Sequence, residues 1–178
     1  KVPHGFIEKA MQNGCEYLKL RNGCVVVGKN SEKSVPWKLK YLEITHSCEE
    51  EVLQNCQFLE KLALDIGLQS QAIEQICKNG ETLRILSIGI VLRVGPKLVQ
   101  KLFKKCHQLT EVNFDFIAGW DDPDWCAFVE NLTPNILKLS LVIKRVNDEH
   151  VNTLVGRCRK ITELNLSDTE ITNDSVKS

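Results

Sequence analysis

Apolar residues recur along this chain in a fixed step: one apolar position, a second three residues on, and a third two residues after that. Seven copies stand in order: Cys15/Leu18/Leu20, Leu39/Leu42/Ile44, Leu59/Leu62/Leu64, Leu83/Leu86/Ile88, Leu109/Val112/Phe114, Ile136/Leu139/Leu141 and Ile161/Leu164/Leu166. Their first positions advance by 24, 20, 24, 26, 27 and 25 residues. One copy says little, since any half-buried strand can produce it. Seven in step define a repeat. The last two apolar positions are two apart, the period of a strand, so Leu62 and Leu64 are predicted to face one way and Lys61, Ala63 and Asp65 the other.

Ahead of most of these strands runs a stripe of helical period. Ile73, Ile76, Cys77 and Gly80 show it, as do Val99, Leu102, Phe103 and Cys106, and Val151, Leu154, Val155 and Cys158. Trp125, Phe128, Val129 and Leu132 fit the same template shifted by one, with Pro134 marking the extra position behind the 27-residue step. Each unit therefore reads strand, loop, helix, with a length in or beside the range of about 20 to 29 residues found in leucine-rich repeats. The expected fold class is α/β: a leucine-rich repeat solenoid, with a curved parallel sheet on the concave side and helices on the convex side. No single repeat buries its own apolar edge, and stacking supplies one continuous core.

With 178 residues the chain needs one domain, 1–178, of about seven repeats. Lysine plus arginine equals aspartate plus glutamate at 23 each, so no electrostatic footprint for nucleic acid or an anionic membrane is expected. No apolar run reaches the length of a membrane span. The eight cysteines contain no C-x-x-C, so no metal site is expected. Cys56, Cys106 and Cys158 each stand three residues before the first apolar position of a repeat, where Gly80 stands in the fourth. That site calls for a small buried side chain, and a free thiol packs well there, which favours reduced cysteines and a cytoplasmic or nuclear location.

The cysteine closing each helix, together with the segment from Thr133 to Val176 and its TPNI, VNTLVGRC and LNLSD words, resembles the cysteine-containing leucine-rich repeats of F-box proteins. The resemblance implies the substrate-recognition part of a receptor in a cullin-based ubiquitin ligase. The repeats would present a protein substrate or peptide, and the ligase adaptor would be reached only through an F-box. No F-box precedes the first repeat, so the chain is expected to be a fragment of a longer protein. The alternative is a ligand-binding or scaffold repeat protein outside ubiquitination, with an extracellular location included.

No catalytic fingerprint is present among the four scattered histidines, and neither an enzyme nor a cofactor is expected. Asp148, Glu149 and His150 follow Asn147 at an expected helix N-cap, where acids and caps satisfy free backbone N–H groups; Glu49, Glu50 and Glu51 are likewise read as a first helical turn. The expected binding surface is the outward row of the strands: Tyr17, Lys19 and Arg21; Tyr41, Glu43 and Thr45; Lys61 and Asp65; Ile85 and Ser87; Glu111, Asn113 and Asp115; Lys138 and Ser140; Glu163, Asn165 and Ser167. Seven strands at about 4.8 Å make a ribbon roughly 29 Å wide, room for about nine residues of extended peptide. The segment Ile117 to Trp125 reads as a long loop. In it Trp125 is expected to begin a helix and pack inward, and Trp120 to stay exposed as a contact residue. Asn22 to Lys38 reads as a second loop.

Overall fold

The computed structural model describes residues 9–20, 37–45, 50–67, 70–92 and 94–172. Arg21, most of the 22–38 loop, Glu49 and residues 173–178 lie outside the described residues. Seven strands alternate with helices: β1 (Tyr17–Leu20), β2 (Tyr41–Ile44), α1 (Glu50–Gln54), β3 (Lys61–Gly67), α2 (Ser70–Lys78), β4 (Ile85–Leu92), α3 (Pro96–Lys105), β5 (Glu111–Ala118), α4 (Asp122–Asn131), β6 (Lys138–Ile143), α5 (Asp148–Arg157) and β7 (Glu163–Ser167). All seven pair in parallel in chain order, forming one sheet. The fold class is α/β.

The repeat is visible in the backbone as well as in the side chains. The carbonyl just before each strand accepts two successive N–H groups from the next repeat. Glu16 takes those of Lys40 and Tyr41, Lys40 those of Glu60 and Lys61, and Glu60 those of Arg84 and Ile85. Arg84, Thr110 and Leu137 continue the series with Thr110 and Glu111, Leu137 and Lys138, and Thr162 and Glu163. A shared acceptor at every step holds the strands in register at the point where the chain comes out of each turn.

The inward apolar positions form one core. Leu42, Ile44, Leu62, Leu64, Leu86, Ile88, Val112, Phe114, Leu139 and Leu141 are buried, together with Ile73 and Ile76 of α2 and Val99, Leu102 and Phe103 of α3. Cys56, Cys106 and Cys158 are buried at the positions expected of them, and the six cysteines among the described residues form no disulfide with one another. Two expectations for α5 and β7 need correction. Val155 faces solvent at 47% exposure and Leu164 is 39% exposed. The helix stripe and strand alternation are intact there. Among the described residues, however, α5 packs against α4 alone and β7 pairs with β6 alone, so one flank of each has nothing to bury against.

A buried polar clamp fastens the turn ahead of β4 to the turn ahead of β3. Asn79, at the end of α2, donates to the carbonyls of Cys56 (3.0 Å) and Gln75 (3.3 Å) and accepts from the Leu59 N–H (3.0 Å). It satisfies backbone groups that the turn before β3 leaves without a ladder partner.

Candidate functional site

The face of the sheet away from the helices carries two rows in register. Tyr17, Tyr41, Lys61, Ile85, Glu111, Lys138 and Glu163 are successive partners across the seven strands. Two residues further along each strand, Lys19, Glu43, Ala63, Ser87, Asn113, Ser140 and Asn165 form a parallel row. The strand residues expected from alternation are thus brought onto one surface. Asp65 and Asp115 continue it as exposed residues of β3 and β5. Arg21 cannot be placed among them, lying outside the described residues.

Neighbouring strands brace these side chains against one another. Lys19 pairs with Glu43, and Lys138 with Glu163 at 2.7 Å. The hydrogen bond and charge of Glu163 push the Lys138 ammonium above its ordinary pKa, with a further contribution from Glu111. The Asn113 amide donates to Ser87 Oγ (3.2 Å) and to Asp115 Oδ1 (2.9 Å). One repeat pair further on the motif recurs: Asn165 donates to Ser140 Oγ (3.2 Å) and accepts from Ser167 Oγ (2.8 Å). Tyr17 and Tyr41 lie with ring centroids 6.3 Å apart at the β1 end. Between the paired ends, Ala63, Ile85 and Ser87 are short or half-buried, leaving a shallow groove of about 850 Å³ bordered by Lys61, Glu111 and Lys138. Lys61 forms no ion pair among the described residues, so its charge is available to a partner.

Trp120 is not an exposed contact. It is 6% exposed, with its ring 5.6 Å from Phe128 and edge-on to Phe114 at 6.5 Å. The long loop expected here does not exist, because β5 runs on to Ala118 and α4 begins at Asp122. Asp121 caps that helix in a reciprocal box with Asp124, and Gly119 turns the chain at φ +80°, which folds the indole onto the core. Trp125 packs inward as expected, one turn into the helix and not at its start. Burial raises the pKa of the Asp124 carboxyl. Asn147 caps α5 as expected, in a reciprocal box with His150, whose ring lies tilted against Trp125 with centroids 5.6 Å apart.

Strict alternation misses one feature of this face. Continued along β4 and β5, it would turn Ile90 and Phe116 inward after Leu86/Ile88 and Val112/Phe114. Instead Val91 and Ile117 are buried, and Ile90 and Phe116 are 38% and 44% exposed. The register shift between Phe114 and Ile117 accounts for this: β5 holds one residue more than β6 there, which reverses its side-chain order beyond that point, and β4 keeps step with β5, Val91 pairing with Ile117. The adjacent apolar pairs Ile90-Val91 and Phe116-Ile117 are the only trace of it in the sequence. Beyond the shift a cavity of about 540 Å³ opens at the ends of β5 and β6, with Phe116, Ile117, Trp120, Val142 and Ile143 among its lining and Asp121, Lys144, Arg145 and Asp168 around it.

No protein-family model matches the chain, and no curated protein gives a significant match. Among the described residues, no group of three or more His, Cys, Asp or Glu side chains is placed to hold a metal ion. No helix there is long and apolar enough to cross a membrane.

Proposed function

We propose that this chain is a leucine-rich repeat solenoid whose open sheet face binds an extended segment of a partner protein, and that it is the substrate-recognition part of an F-box-type receptor of a cullin-based ubiquitin ligase. The observation that carries the binding reading is the pair of in-register side-chain rows crossing all seven strands. The rows are braced before any partner arrives, so little side-chain entropy remains to be lost on binding. Their mixed charge suits a polypeptide better than a polyanion. The ligase reading is supported by the buried cysteines that close the helices and by the resemblance of Thr133 to Val176.

Charge reversal at the groove tests both parts. Lys61→Glu and Glu111→Lys are expected to leave stability within about 0.5 kcal/mol of the parent, while removing a discrete set of proteins from affinity captures. With the protein expressed from its complete transcript, the ligase adaptor is expected among the captured proteins in the parent and in both variants. Capture that survives every reversal on this face would move the binding surface elsewhere. Absence of the adaptor would leave a binding repeat outside ubiquitination.

A further inference from the structure

The exposed apolar side chains at the ends of β4 and β5 define what kind of segment this face accepts. Ile90 and Phe116 emerge side by side because each is followed by a buried residue, Val91 and Ile117, and these two are register partners. Phe116 and Val142 border the 540 Å³ cavity, whose lining includes Ile117 and Ile143. An aromatic residue left 44% exposed beside an open apolar cavity is a surface that gains free energy when covered.

Next to this patch lie two carboxylates without cations. Gly89 follows Ile88 on β4 as Asp115 follows its register partner Phe114 on β5. On the other side, a β-carbon at Gly89 would stand 2.8 Å from Asp65 Oδ1. The Asp65 carboxylate therefore occupies the space over the glycine, turned toward the strand that bears Asp115. Neither acid forms an ion pair among the described residues, and Asp115 accepts a hydrogen bond from a neutral amide, that of Asn113. From Gly89 on β4 to the gap between β5 and β6 is one and a half strand spacings, roughly 7 Å, which is two residues of extended chain with both side chains on the same face.

We infer that the partner segment is an extended peptide carrying a lysine or arginine two positions from a bulky apolar residue, the cation between Asp65 and Asp115 and the apolar side chain in the cavity beside Phe116. This rests on the reading of the sheet face as a peptide-binding surface. The cavity supplies the affinity and the carboxylates the selectivity, since an acidic residue at the same place would meet two like charges. The cations Lys144 and Arg145 and the acids Asp121 and Asp168 balance around the cavity, so the charge preference originates at Asp65 and Asp115.

The experiment is selection of a random linear peptide library displayed on phage, with the parent protein as bait and the selected peptides then titrated singly. Enrichment of a basic residue two positions from an aromatic or large aliphatic one, in either order, is expected. Asp65→Asn combined with Asp115→Asn should weaken such a peptide about tenfold and abolish the basic preference while keeping the apolar one. Phe116→Ser should do the reverse. Enriched peptides without this pairing, a basic preference that survives the double variant, or no enrichment at all would each overturn the inference. The two failures separate cleanly. Peptides that lack the pairing but are lost with Lys61→Glu or Glu111→Lys refute this inference and leave the binding face standing; peptides indifferent to every one of these changes refute both.

Discussion

Gly80, at the end of α2, lies against the carbonyl of Lys105 at the end of α3: a β-carbon there would stand 2.7 Å from the Lys105 carbonyl carbon, with the oxygen closer still. This explains why the fourth repeat has glycine where three others have a buried cysteine. The helices approach so closely at this step that no side chain fits. Gly80→Ala is expected to lower stability by about 1–3 kcal/mol through overpacking, measured by urea denaturation; an unchanged midpoint would mean that the two helix ends move apart freely.

Asn79, one residue earlier, makes a contribution of a different kind. Replacing it with leucine preserves volume but leaves the Leu59 N–H and the Cys56 carbonyl buried without their partner. The expected loss is about 2–6 kcal/mol, from roughly 1–3 for each of the two abandoned groups. Hydrogen exchange adds an independent check, because the Leu59 amide should lose protection in the variant before the strand amides do.

The reversed side-chain order beyond the β5 register shift can be tested with a matched pair. Ile117→Ser removes a buried side chain, places a hydroxyl in the core and should cost about 2–4 kcal/mol; Phe116→Ser should stay within about 0.5 kcal/mol of the parent. Strict alternation makes the opposite forecast, so thermal melting of the two variants decides between the patterns.

The buried thiols make stability fall in alkali. Burial pushes Cys106 up to about 12 from its ordinary 9.0, and Cys77 and Cys158 shift in the same direction, also mainly through burial. Between pH 9 and 12 the unfolded Cys106 thiol ionises while the folded one keeps its proton, so the folded state binds more protons and unfolding becomes easier as pH rises. The contribution of Cys106 is at most about 1.4 kcal/mol per pH unit. It is fully present below pH 9 and is lost above it. Cys106→Ala should flatten the stability profile in this window, as read from denaturation midpoints. A parallel profile in the variant would assign the alkaline loss to other groups.

What the sequence determined by itself is the repeat: seven strands, their parallel order, the inward leucines, the buried cysteines and the polar rows of the outer face. These follow from alternation within four or five residues, a local property that every copy states again, so errors in one copy are outvoted by the other six. Tertiary structure decided the rest, because those features depend on a neighbour and not on the segment. Trp120 reads as an exposed loop aromatic until the Asp121 cap and the Gly119 turn fold it onto Phe114 and Phe128. Phe116 reads as core until β5 and β6 pair with a one-residue offset. Val155 reads as buried until the helices beside α5 are counted. Period states which residues share a face, and only the register and packing of adjacent repeats state where that face ends, because a strand's side-chain order holds just as far as its hydrogen-bonded partner keeps step.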